Sequence, residues 1–162
     1  LNMISKKTGA LIRTSMNIGA VTGRGDKETI KALANCGEYL GYVFQVRDDY
    51  LGTWGSEAET GKAIGNDIMR RKNSLPVVHA LEHADPTSRH RLQAIYQKEH
   101  LVDEDIQEIL DIFGRVGTAD YVKELAQKQA DYAISALEDI KIDAELRNEF
   151  QELVEFLLTR KQ

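Results

Sequence analysis

From Lys27 to Trp54 the chain runs without a proline and with apolar residues at helical spacing, yet two adjacent acids, Asp48 and Asp49, stand inside that run. Leu33, Leu40, Phe44 and Leu51 fall on one side of such a helix and are expected to pack. A different face collects Gly37, Gly41, Gln45, Asp48, Asp49 and Gly52, at the steps that bring helical residues together. A glycine inside a helix costs up to about 1 kcal/mol relative to alanine, so these glycines leave room either for a ligand or for close approach of another helix. Acids in a mostly apolar run are costly unless something pairs with them. Near the end of a helix they also face the unfavourable pole of its dipole. Oxygen ligands on one helical face suit a hard cation such as Mg2+, which is commonly held by one or two carboxylates with waters and substrate phosphates. The plainer alternative is a solvated acid pair.

The rest of the chain reads as helices too. Two prolines in 162 residues, with abundant Ala, Leu, Glu, Lys and Gln, argue for an all-α protein. A first helix is expected from about Met3 to Val21, with Ile4, Leu11, Ile12, Ile18 and Val21 as apolar stripes, ending at Gly23 and Gly25. Asp26 is the N-cap of the long helix. Periodicity fails from Gly55 to Asn73, a long loop with a short helical turn near Asp67 and a basic run, Arg70-Arg71-Lys72; loops of this length are often functional. Ser74 then caps a helix to about His83, and Asp85-Pro86 starts one to about Gln97. Asp103-Glu104-Asp105 opens another, ending near Gly114–Gly117. A helix is expected from Ala119 to Ile140, with Tyr121, Leu125, Ala130, Ile134, Leu137 and Ile140 on its buried side, and Asp143 caps a last one to Leu158. That makes about seven helices in one domain. Leu1 opens on an apolar pattern with no cap ahead of it, which suggests that the natural protein extends upstream.

Charge and composition narrow the function. A net charge of −5 gives no overall attraction for nucleic acid or an anionic membrane. No apolar run reaches the roughly 18 residues of a membrane span, and no secretory leader is evident, so a cytoplasmic location is expected. The single cysteine, Cys36, excludes an internal disulfide or a cysteine zinc site and reads as core. The segment Gly55–Ala63 fails as a nucleotide loop: five residues separate its glycines and Ala63 stands where Ser or Thr should bind magnesium. His79 and His83 are spaced i, i+4 but lack the intervening pattern and a third ligand, so these two, with His90 and His100, read as packing or surface histidines. Asp103, Glu104 and Asp105 read as capping acids. Arg70 and Arg71 read as solvated loop residues, whereas lysines such as Lys62 and Lys72 can reach diphosphate oxygens.

Taken together, Phe44-Gln45-Val46-Arg47-Asp48-Asp49-Tyr50-Leu51, Gly61-Lys62-Ala63-Ile64-Gly65-Asn66-Asp67 and Arg71-Lys72-Asn73-Ser74-Leu75-Pro76 resemble the second aspartate-rich region of the trans-isoprenyl diphosphate synthases, the polyprenyl synthetases. Lys7-Thr8-Gly9-Ala10-Leu11 resembles that family's Lys-Thr segment on the preceding helix. The resemblance implies an isoprenoid-synthase-type helical bundle, of which residues 1–162 would be the C-terminal part. It implies a Mg2+-dependent prenyltransferase that condenses isopentenyl diphosphate with an allylic diphosphate, as in geranyl, farnesyl or geranylgeranyl diphosphate synthases. Asp48 would bind Mg2+ with Asp49 assisting. Lys7, Lys62 and Lys72 would hold the allylic diphosphate. Thr8 and Gln45 would line the carbocation region, and Asp67 would orient the loop or a lysine. Family members are typically homodimers.

This sequence departs from the family pattern in two ways. Gly52 stands where the motif Asp-Asp-x-x-Asp has its last acid. The family's other aspartate-rich motif, on an earlier helix, has no counterpart here, since Asp48-Asp49 is the only adjacent aspartate pair. The chain is therefore expected to supply one wall of a magnesium–diphosphate site and to be inactive by itself. Product length, which the family sets around that other motif, is not encoded in this stretch. The rival readings are a non-catalytic helical regulatory subunit that pairs with a complete synthase, and, more weakly, a terpene cyclase of the same fold.

Overall fold

The computed structural model describes residues 4–61, 63–138 and 140–161. Among them every regular element is helical. A π-helical turn, Ser5–Gly9, leads directly into α1 (Ala10–Thr22). α2 follows (Lys27–Trp54), then two single turns, α3 (Glu57–Thr60) and α4 (Asn66–Met69). The remaining helices are α5 (Leu75–His83), α6 (Pro86–Tyr96), α7 (Asp103–Arg115), α8 (Thr118–Ser135) and α9 (Ala144–Thr159). The seven long helices read from the sequence are all present among the described residues. No described helix is long and apolar enough to cross a membrane.

The caps follow the sequence, with one correction. Asp26 accepts from the Thr29 N–H, Asp85 from those of Thr87 and Ser88, and Asp143 from that of Leu146, satisfying donors that a helix start leaves open. Asp105 accepts from the Val102 N–H and from Lys98 Nζ. Ser74, expected to cap α5, occupies the N-cap position but makes no side-chain cap bond. The Leu75 N–H instead donates to Asp49 Oδ2 at 3.0 Å.

The chain divides into two compact units, one comprising residues 1–47 and 124–160 and the other residues 48–123 with 161–162. In the first unit Cys36, Leu40, Val43, Ala130, Ala133, Leu137, Ile140, Val154 and Leu157 form the core. Burial pushes the Cys36 thiol up to about 12, which makes it an inert core group. α2 meets the N-terminal segment closely. A Cβ at Gly41 would lie 2.5 Å from Gly9 Cα, and one at Gly37 would lie 3.0 Å from Arg13 Cα. Of the two purposes left open for these glycines, close helix approach is the one realised. The expected stripe on the first helix is only partly buried: Ile4 is in the core, whereas Leu11, Ile18 and Val21 are exposed.

In the second unit Ile68, Val77, Ala80, Leu92, Ile95, Ile106, Ile109, Ile112 and Phe113 are buried, with Trp54 and Tyr96 packed against them. α8 ends at Ser135, short of the expected Ile140, because Leu137 and Glu138 turn back onto Ile134 and Ser135 carbonyls with tighter i→i+3 bonds. Tyr121 is 38% exposed, contrary to the buried side assigned to it.

His79 is buried, and its Nδ1 lies 3.0 Å from Thr118 Oγ1. Its ring stacks on His83 and Tyr121 at centroid distances of 4.2 and 4.1 Å. It is thus a packing histidine. Burial, and then the charge of His83, hold it below its ordinary value of 6.5, with Glu82 opposing. The unfolded chain therefore takes up this proton first as the pH falls. Stability is fully present above about 6.5 and is lost from there down to the lowered folded value. Urea unfolding at pH 7.5 and pH 5.5 is expected to show that loss, and His79→Gln is expected to reduce it.

Candidate functional site

In the first unit the π-helical turn carries Lys7 and Thr8, and such turns widen a helix locally, frequently at functional sites. The turn and the start of α1 are tied to α2 by side-chain bonds. Ser5 Oγ donates to Glu38 Oε1 at 2.9 Å and Arg13 Nη1 to Glu38 Oε2 at 3.3 Å. Thr8 Oγ1 donates to Gln45 Oε1 at 2.9 Å, which fixes the orientation of the Gln45 amide. Lys7 is exposed. At the other end of this unit, Arg47 donates from Nε and Nη2 to the Arg160 carbonyl at 3.1 and 2.9 Å. The Arg160 guanidinium sits 4.2 Å from the centre of the Phe44 ring.

In the second unit one ammonium faces three carboxylates. Lys72 Nζ lies 2.8 Å from Asp67 Oδ2, 3.0 Å from Asp49 Oδ1 and 3.8 Å from Asp48 Oδ2. Partial burial opposes its charge, but hydrogen bonds to Asp67 and Asp49 and their negative charges outweigh that and hold Lys72 above its ordinary value. Asp49 is buried and receives both Lys72 and the Leu75 N–H. The Asp48 side chain is 51% exposed.

Gly52 explains how Asp67 reaches this cluster. A Cβ at Gly52 would meet Asp67 Oδ2 and lie 2.5 Å from Asp67 Cγ. The carboxylate that the motif would place on α2 is absent, and one from the loop occupies the space beside it. Gly65, at φ +76°, turns the chain into α4, and its N–H bonds the Thr53 carbonyl at 3.1 Å, so the loop is held to the end of α2. Arg71, at φ +51°, donates from Nη1 to the Lys98 carbonyl at 2.6 Å. It is thus a strap for the loop.

Among the described residues no three His, Cys, Asp or Glu side chains gather into a preformed metal cluster. With Asp49 engaged and Asp48 exposed, the donor set fits a hard cation that brings its own waters and phosphate oxygens, as Mg2+ does, and not one that needs a closed protein cage. Of the residues singled out from the sequence, Asp48, Asp49 and Lys72 come together in the second unit and Thr8 with Gln45 in the first. Lys62 lies outside the described residues. Sequence reasoning missed the α5 N-terminus as a partner of Asp49, because a backbone N–H carries no sequence signature.

Residues 1–113 match the family model for polyprenyl synthetase. The chain belongs to the polyprenyl synthetase family. It is 34% identical over 161 residues to the short chain isoprenyl diphosphate synthase of Methanothermobacter thermautotrophicus, covering 99% of this chain and 49% of that protein. The polyprenyl synthetase of Streptomyces coelicolor A3(2) superposes with a TM-score of 0.89 at 33% identity, covering 97% of this chain and 48% of the other. The geranylgeranyl pyrophosphate synthase of Corynebacterium glutamicum, solved with isoprenyl diphosphate and magnesium, superposes with a TM-score of 0.78 at 29% identity, over 88% and 40%. The all-α fold is thus that of the isoprenyl synthases. The chain spans about half the length of the relatives it matches.

Proposed function

We propose that this chain is the C-terminal part of a Mg2+-dependent prenyltransferase that condenses isopentenyl diphosphate with an allylic diphosphate. The observation that carries the reading is the exposed Asp48 carboxylate beside Lys72, with Asp49 and Asp67 placing that lysine, in a chain of this family. The magnesium in a relative's complex supports the choice of cation. Bound Mg2+ would supply positive charge that stabilises a departing diphosphate.

The chain's own residues bind and orient. Asp48 holds the cation. Asp49 would assist, directly or through water, while holding Lys72. Lys7, Lys62 and Lys72 take the allylic diphosphate. The Thr8 hydroxyl keeps the Gln45 carbonyl fixed, and that dipole stabilises the allylic cation left when the carbon–oxygen bond breaks. No protein nucleophile is required: the double bond of isopentenyl diphosphate attacks the cation and a proton leaves. We place the enzyme in the cytoplasm and assign it a homodimeric state, as in the family, and we assign no activity to residues 1–162 alone.

Asp48→Ala in the full-length protein is expected to lower turnover by at least about 100-fold, measured as incorporation of labelled isopentenyl diphosphate with Mg2+ and an allylic diphosphate. Unchanged turnover would favour a regulatory subunit instead. Robust product from residues 1–162 alone would overturn the assignment of this chain as a partial enzyme.

A further inference from the structure

The π-helical turn Ser5–Gly9 changes which residues of the first unit share a face. In an α-helix, positions seven apart lie within about 20° of one another, whereas positions eight apart lie about 80° apart. The extra residue of a π turn passes the shared face from the seventh position to the eighth. The packing shows that shift. Ile4 is buried, yet Leu11, seven residues on, is 69% exposed. Ile12, eight residues on, is the one that packs against the core. Ser5 and Arg13, also eight apart, follow the same rule and meet the two oxygens of a single carboxylate. Ser5 Oγ donates to Glu38 Oε1 at 2.9 Å and Arg13 Nη1 to Glu38 Oε2 at 3.3 Å. The Tyr42 hydroxyl adds a long contact to Oε1 at 3.5 Å. Glu38 thus bridges the turn from its first residue to the helix beyond it, and it has no use in the chemistry above. The contact of Gly9 with Gly41 fixes the C-terminal end of the turn. A change of register therefore falls on the residues before Gly9, which include Lys7 and Thr8.

We propose that Glu38 is a positioning residue that locks the Ser5–Gly9 turn in its π register and so keeps Thr8 on Gln45. With the clamp gone, the turn tightens to the i→i+4 bonding of an ordinary helix. Thr8 then rotates by up to one residue's step, about 100°, and the 2.9 Å bond that orients the Gln45 carbonyl is lost. The two arms of the clamp are unequal. The Arg13 side chain is about half exposed, so that ion pair adds little by itself. Its value lies in holding the second oxygen of the carboxylate that Ser5 also uses. The catalytic consequence rests on the role given above to Thr8 and Gln45, but the register can be read without any substrate.

Two measurements on the full-length protein decide it. The first is thiol labelling without ligand. Ile4→Cys places a thiol at a position that is buried in the π register. Adding Glu38→Ala is expected to speed its labelling at least about 10-fold, through local opening of the turn, while the buried Cys36 stays unreactive. Equal rates with and without Glu38 would overturn the proposal whatever the protein's activity. Faster labelling of Cys36 as well would overturn it too, since Glu38 would then support the unit in general and not this turn. The second is a kinetic cycle with Thr8→Val, read as incorporation of labelled isopentenyl diphosphate. Glu38→Ala is expected to lower kcat roughly 10-fold in the wild type, the size of one lost hydrogen bond to the reacting region, and to change it little once Thr8 is Val. Glu38→Gln, which can accept from one donor only, is expected to fall between, and Arg13→Lys to retain more turnover than Arg13→Met. Equal losses from Glu38→Ala in the two Thr8 backgrounds would overturn the proposal while leaving the function standing. A wild-type protein without prenyltransferase activity would instead remove the functional reading and, with it, the part of Glu38 in catalysis.

Discussion

A Gly52→Asp variant is expected to lose stability, although it rebuilds the family's Asp-Asp-x-x-Asp motif. The new Cβ would fall 2.5 Å from Asp67 Cγ, and that carboxylate is held by Lys72 at 2.8 Å. Either Asp67 is expelled and its ion pair lost, or the end of α2 shifts. Overpacking of this kind costs about 1–3 kcal/mol, and the added like charge beside Asp67 raises the total to about 2–4 kcal/mol. The pair's own share is modest because Lys72 is partly exposed to solvent. Thermal unfolding is expected to show a drop of roughly 5–15 °C. Gly52→Ala should show a smaller loss in the same direction, and pairing Gly52→Asp with Asp67→Gly should recover much of it. A wild-type Tm in Gly52→Asp would mean that Asp67 is not confined as described.

The second large effect is expected at Gly41. Its would-be Cβ meets backbone, 2.5 Å from Gly9 Cα and 2.9 Å from Gly9 N. No rotamer change can relieve this. Gly41→Ala must push the π-helical turn away from α2, at a cost of about 2–4 kcal/mol. The displacement also carries Thr8 away from Gln45, so turnover should fall more than folded population. Gly19→Ala is the control, since a Cβ there meets nothing within 4 Å; it is expected to be neutral or to stabilise by up to about 1 kcal/mol. If both substitutions behave alike, the Gly9–Gly41 contact has no structural weight.

These two glycines also show how far the sequence could be read. The periodic runs and Asx caps located the helices to within a few residues, because an apolar stripe and an Asp at an N-cap are local signals. The small-residue face of α2 was visible as a pattern, but its partner was not: whether Gly41 faces a ligand or Gly9 depends on packing between segments far apart in the chain. Gly52 read as the loss of an acid, and the carboxylate filling its place comes from Asp67 across a loop with no periodicity. The acid pair was legible as chemistry. Its division of labour was not, since burial of Asp49 and exposure of Asp48 arise from α5 docking its first turn on one and not the other. The π-helical turn was hidden for a related reason: i→i+5 bonding leaves no composition signal, so the segment read as the start of an ordinary helix.

The bond from the Leu75 N–H to Asp49 Oδ2, at 3.0 Å, has one more consequence. A helix start that depends on its own serine can fray without disturbing anything else. α5 instead borrows its first acceptor from α2. Fraying of α5 and release of Asp49 are therefore the same event, and the Leu75 amide can exchange its hydrogen with solvent only when that carboxylate is let go. Exchange protection at this single amide becomes a readout, on the native protein, of how often Asp49 lets go of α5.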